Sequence, residues 1–185
     1  MSKSNKNLDV RWAVLIVKLP AEPSRYRVAV WRELRRAGAT QLGQGSWAFP
    51  VTASTAETLD KLFELIRRGD GDVVALDAAP IDDLSRDRLR ELHDEARRAE
   101  WTEFVSECGK CVAELKREIA KKKFTLAELD EEEQNVERLR RWHRELMVRD
   151  LFRAQPPAVM QGHLATCLSE LERFTDLVYA ALGIS

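Results

Sequence analysis

Five arginines lie close together near the start of the chain, in a segment whose only acidic residue is Glu33. They are Arg25, Arg27, Arg32, Arg35 and Arg36. A guanidinium group is planar and permanently charged, and it binds phosphate and similar oxyanions through paired hydrogen bonds. The cluster therefore predicts contact with nucleic-acid phosphates or with a small oxyanion. The alternative is a solvated helix face, with Arg35 and Arg36 complementing the negative pole of the helix.

Cysteine and histidine side chains form a second pattern with possible chemistry. Cys108 and Cys111 have the Cys-x-x-Cys spacing, and His163 and Cys167 are one helical turn apart. Together they form a Cys-Cys-His-Cys set of suitable zinc ligands. Zinc sites with this spacing normally lie on turns, whereas Cys108 falls within the apolar stripe of a predicted helix. We therefore expect buried structural cysteines and no metal or other cofactor.

The sequence contains no pattern typical of an active site. His93, His143 and His163 are scattered along predicted helices, and neither a nucleophile-histidine motif nor a phosphate-binding loop is recognisable. We expect a protein that is not an enzyme.

The arginine cluster lies between a predicted strand and a predicted hairpin. Trp12 to Leu19 is an almost continuous apolar run, which predicts a central strand buried on both faces. Gly38 predicts the end of the arginine-bearing helix, and Gly43 to Ser46 predict a tight turn. A second helix and a short strand from Asp72 to Leu76 complete the order β-α-β-β-α-β. This order is the ferredoxin-like pattern, so the predicted fold class is α+β.

The domain prediction has three parts. Residues 1–9 are expected to be a disordered N-terminus, and residues 10–79 form the ferredoxin-like domain. Residues 80–185 are predicted to be all-helical, with a long helical hairpin and a final helix that together form a three-helix bundle. Because the hairpin helices are longer than the sheet domain is wide, we expect a homodimer.

Charge is unevenly distributed along the 185 residues, although the formal net charge is −1. Residues 1–80 contain twelve Lys and Arg against nine Asp and Glu, whereas residues 81–185 contain eighteen against twenty-two. The basic excess favours an anionic partner for the first part. The N-terminus lacks the apolar segment of a signal peptide, and no window predicts a membrane span. Three cysteines, an odd number, suit a reducing compartment, so we expect a cytoplasmic protein.

Three segments carry a family resemblance: the strand WAVLIVKLP, the arginine-rich helix with Trp31, and the hairpin segment GSWAFP. They resemble the N-terminal domain of ChrB, the chromate-resistance regulatory protein of bacteria. The resemblance continues through Glu100-Trp101 and Arg149-Asp150-Leu151-Phe152, and it covers most of residues 11–180. More distantly, the strand, helix and hairpin are similar to the ferredoxin-like domain of PaaX-type repressors and to the CRISPR adaptation nuclease of the same fold. Such nucleases need an acidic residue at the end of the first strand to hold a divalent cation, and this chain has Lys18 there.

The resemblance implies a cytoplasmic DNA-binding transcriptional regulator, or its N-terminal module, for a chromate or oxyanion resistance operon. Duplex DNA or the oxyanion would contact the five arginines and Lys18. Larger ChrB proteins have a second domain, which we expect to lie outside these 185 residues. Oxidation of the cysteine thiols by chromate is a further hypothesis. The alternative function is a non-catalytic structural or interaction module that assembles through the sheet and the helical hairpin.

Overall fold

The computed structural model describes residues 10–183, which form a four-stranded antiparallel sheet and five helices. Residues 1–9, predicted to be disordered, lie outside the described residues. The chain divides into two compact units, Met1–His93 and Asp94–Ser185. The division falls within the third helix, after His93. The sequence predicts a domain boundary earlier, between residues 79 and 80, where the strand-and-helix segment ends at Pro80.

The first unit contains the sheet and two complete helices. Its elements are β1 (Trp12–Lys18), α1 (Ser24–Arg36), β2 (Thr40–Gly43), β3 (Ser46–Pro50), α2 (Thr55–Arg68) and β4 (Asp72–Ala78). The strand order is β2-β3-β1-β4, and each neighbouring pair is antiparallel. β1 is therefore a central strand, as the sequence predicts.

The helices α1 and α2 cover one face of the sheet. The core beneath them includes Leu15, Val30, Leu34, Leu62 and Ile66. The opposite face is covered only in part, because Trp12 is 3% exposed there whereas Ile16 is 50% exposed. The predicted burial of β1 on both faces is therefore wrong at Ile16. Successive residues of a strand face opposite sides of the sheet, and an apolar run does not itself show whether both sides are covered.

Glycines permit the two tight turns that follow α1. Gly38 ends the helix with a φ of 75°, in agreement with the prediction, and Gly45 in the hairpin has a φ of 70°. The carbonyl oxygen of Gly45 accepts a 2.7 Å hydrogen bond from the backbone N–H of Val17. A Cβ atom at Gly45 would lie 2.6 Å from the Val17 carbonyl oxygen. The hairpin therefore needs glycine here for both its conformation and its contact with β1.

The second unit is helical. It contains most of α3 (Asp83–Lys121), together with α4 (Leu126–Arg149) and α5 (Pro157–Leu182). Thr125 caps α4 through its side-chain oxygen, which accepts a hydrogen bond from the backbone N–H of Glu128 at 3.3 Å. The cap marks the start of α4.

All three helices contribute to one apolar core in the second unit. Its most buried members include Phe104, Leu115, Leu139, Leu146, Phe174 and Val178. Val159, in the first turn of α5, is 51% exposed. No helix within residues 10–183 has the length and apolar character needed to cross a membrane.

Candidate nucleic-acid interface

The helix α1 presents the predicted arginines. Val30 and Leu34, four residues apart, are 2% and 1% exposed and pack into the core under the sheet. Successive helical residues are about 100° apart around the axis, so these two positions determine which side of α1 is buried. The opposite side faces solvent.

Four of the five arginines lie toward that exposed side. Arg25, Arg32 and Arg36 follow one another along the helix, because spacings of seven and four residues return to nearly the same side. Arg35 lies beside them, with its guanidinium carbon 5.0 Å from the centre of the Trp31 ring. All four side chains are exposed. We call Arg25, Arg32, Arg35 and Arg36 the arginine stripe.

The members of the arginine stripe differ in the partners that they have within residues 10–183. Arg36 forms an ion pair of 2.7 Å with Glu33, and Arg25 lies over the ring of Tyr26 at 4.9 Å. Arg32 forms neither an ion pair nor a hydrogen bond with a side chain among residues 10–183. Its charge is therefore available to an anion without breaking a contact within this part of the protein.

Arg27 and Lys18 are separate from the stripe. Arg27 is exposed and lies about 140° around the axis of α1 from Arg32. It lines a groove of about 270 Å³ together with Trp31 and Trp47. Lys18 is exposed at the end of β1, opposite Asp72 in the strand register. Arg27 therefore faces a different side of α1 from Arg32, and Lys18 belongs to β1.

The structure brings three of the four proposed metal ligands together. The Sγ atom of Cys167 lies 3.5 Å from the carbonyl oxygen of Cys108 and 3.4 Å from that of His163. Cys111 belongs to the same buried core. Within the described part of the chain, no three His, Cys, Asp or Glu side chains are placed to hold a metal ion. Cys108, Cys111 and Cys167 are free cysteines, and all three are buried.

Interactions among these thiols oppose easy ionisation of two of them. A hydrogen bond with Cys167 and burial raise the pKa of Cys111, and a hydrogen bond with Cys108 raises the pKa of Cys167 to about 12. The hydrogen bond from Cys167 lowers the pKa of Cys108, whose side chain is nevertheless buried. Because the thiolate is the reactive form, the raised pKa values make Cys111 and Cys167 less reactive than an ordinary thiol.

A buried polar network in the second unit was not predicted. The Oε2 atom of Glu100 lies 3.1 Å from Nε of Arg97 and 3.4 Å from Nε of Arg149. Nearby, Nε1 of Trp101 donates a 2.8 Å hydrogen bond to Oδ2 of Asp150. The Glu100–Arg149 and Trp101–Asp150 contacts each join residues 49 positions apart, so no local spacing indicates them. The network supports the helical core and does not belong to the arginine stripe.

Comparison with known proteins identifies the family. The family described as Protein ChrB, N-terminal, matches residues 27–185. Protein ChrB of Cupriavidus metallidurans is 30% identical over 99 residues, which cover 54% of this chain and 30% of that relative. The match thus spans less than a third of the relative's length, and no solved structure matches the chain significantly. Since the family match covers most of the sequence, the chain belongs to the ChrB N-terminal family.

Proposed function

We propose that this chain is a transcriptional regulator, or the N-terminal module of one, that binds duplex DNA and controls a chromate or oxyanion resistance operon. Family membership supports the link to chromate resistance. The observation that carries DNA binding is the exposed arginine stripe, with Arg32 lacking a counter-charge in the described structure. In this proposal the stripe contacts phosphates, and the protein acts in the cytoplasm without catalysing a reaction.

We also propose a finer description of the fold. The strand order β2-β3-β1-β4, with α1 and α2 on one face, supports a ferredoxin-like first unit. The core shared by α3, α4 and α5 supports a three-helix bundle in the second unit. In such an arrangement the arginine stripe belongs to a rigid helix and not to a loop.

The salt dependence of DNA binding tests this function. The change Arg32→Gln is expected to lower the slope of log K against log salt by about one unit, because one phosphate contact releases about 0.9 counterion. At about 0.1 M salt the same change weakens binding about eightfold. The measurement is a titration of labelled duplex from the upstream region of the gene, followed by fluorescence anisotropy at several salt concentrations.

A matched control is Arg141→Gln, which removes the same charge from an exposed position in α4. Its slope should equal that of the unmodified protein. Equal effects of the two changes would mean that net charge, and not the stripe, governs binding. Added chromate should displace the duplex more effectively than sodium chloride of equal ionic strength if the stripe also receives a divalent oxyanion.

The open face of the sheet favours self-assembly as a second candidate function. Ile16 is 50% exposed there, while Val74, its neighbour in the strand register, and Leu76 are each 49% exposed. Adjacent exposed apolar side chains of this kind favour an interface, and we propose that they pair two copies of the chain.

Replacing Val74 with lysine is expected to convert a dimer to a monomer, because a charge in an apolar interface loses its hydration. Sedimentation equilibrium across a dilution series measures the change. The control Val148→Lys alters a valine that is 78% exposed on α4. A dimer that survives Val74→Lys, or a monomeric unmodified protein, would contradict assembly through this face.

A further inference from the structure

An acidic cleft lies between α3 and α4 in the second unit. It has a volume of about 490 Å³, and five glutamates line it together with only two basic residues, Lys110 and Arg138. The glutamates are Glu107, Glu114, Glu128, Glu131 and Glu132. Three of the five glutamates already form ion pairs. Glu107 pairs with Lys110 and Arg138. Glu128 pairs with Lys123, and Glu114 pairs with Arg117. The two remaining glutamates, Glu131 and Glu132, are consecutive residues of α4.

Glu132 is the unusual member of the cleft. It is 4% exposed, and its Oε2 atom has no hydrogen-bond partner within residues 10–183. A buried carboxylate normally accepts several hydrogen bonds or pairs with a cation, because the loss of hydration is costly. Burial raises the pKa of Glu132, a hydrogen bond with Asn135 lowers it, and the charges of Glu114 and Glu131 raise it. The two basic residues that line the cleft, Lys110 and Arg138, form ion pairs with Glu107 and not with Glu132.

Glu131 is the second glutamate of the cleft without an ion pair among the described residues. Its side chain is exposed and forms no ion pair within the described part of the chain. One carboxylate at the mouth and one in the interior are suited to two separated positive charges. An ammonium group has three donors and can satisfy a buried carboxylate oxygen while it contacts a second acceptor such as Asn135.

We propose that this cleft binds an aliphatic polyamine, with one ammonium group at Glu132 and another at Glu131. The volume of the cleft lies in the range of small-molecule sites and is larger than a single metal ion needs. In addition, no group of three or more His, Cys, Asp or Glu side chains among residues 10–183 is arranged to hold a metal ion. An extended molecule with several charges matches carboxylates distributed along a cleft.

Isothermal titration of the full chain with spermidine, in the absence of DNA, tests the proposal. We expect saturable binding of one molecule per chain. The change Glu132→Gln should weaken it about tenfold, which is the effect of losing one charge-assisted hydrogen bond. The control Glu133→Gln removes an adjacent charge that does not line the cleft, and it should leave the affinity unchanged.

Two further arms make the result unambiguous. Glu131→Gln alters an exposed side chain, which should not affect folding, and it should weaken spermidine binding about threefold. Circular dichroism shows whether Glu132→Gln remains folded. Absence of saturable binding, equal weakening by Glu132→Gln and Glu133→Gln, or displacement of spermidine by magnesium chloride at equal ionic strength would overturn the proposal.

Discussion

Replacing Glu100 with alanine is expected to reduce the free energy of unfolding of the helical unit by about 3–5 kcal/mol, because it removes one member of a buried ionic network. Oε2 of Glu100 lies within 3.4 Å of a nitrogen of both Arg97 and Arg149. The side chain of Arg97 is 2% exposed and that of Arg149 is 11% exposed. Neither guanidinium group can recover full hydration without local unfolding. A loss of this size is a large part of the stability of an ordinary domain, which is about 5–15 kcal/mol.

Urea denaturation followed by circular dichroism measures the loss. Glu103→Ala is the matched control, because Glu103 is an exposed glutamate on the same helix, three positions further along. That change should alter stability by less than about 0.5 kcal/mol. If both variants unfold at the same denaturant concentration, the network contributes no more than an exposed charge.

Replacing Arg25, Arg32 and Arg36 together with glutamine is expected to reduce DNA affinity about 500-fold at about 0.1 M salt, since three phosphate contacts each contribute about 0.9 to the salt slope. All three residues are exposed on α1, so their loss removes charge without creating a cavity in the core. The melting temperature should therefore remain close to that of the unmodified protein. Anisotropy titrations over a range of salt concentrations measure both the affinity and the slope.

The control for this triple change is the simultaneous replacement of Arg98, Arg141 and Arg173 with glutamine. These three arginines are exposed on the helices of the second unit. The control changes the net charge equally but leaves the arginine stripe intact. An equal loss of affinity in both triple variants would show that DNA binding, if present, does not depend on α1.

Local signals in the sequence predicted the elements and several of their ends. Gly38 ends α1 with a positive φ because glycine lacks the Cβ atom that disfavours this conformation. Thr125 caps α4, as expected when a threonine precedes a helix and a glutamate follows three positions later. These features depend on residues within one turn of each other, and the sequence alone therefore reveals them.

Features that depend on distant residues could not be predicted. The pairing of Glu100 with Arg149 and of Trp101 with Asp150 joins α3 to the end of α4, and no periodicity relates those positions. The unsatisfied carboxylate of Glu132 is equally hidden, because an acidic residue in a charged helix normally faces solvent. Both features arise from burial, which only the packed helices produce.

The sequence by itself determined the order of strands and helices, the concentration of arginine in one helix and the resemblance to the ChrB family. Only the tertiary structure decided that Ile16 is exposed on the sheet face opposite α1 and α2 and that Glu132 is buried in α4. The physical reason is that side-chain type and spacing define the faces of an element. Whether a given face is buried or exposed depends on elements from elsewhere in the chain that pack against it.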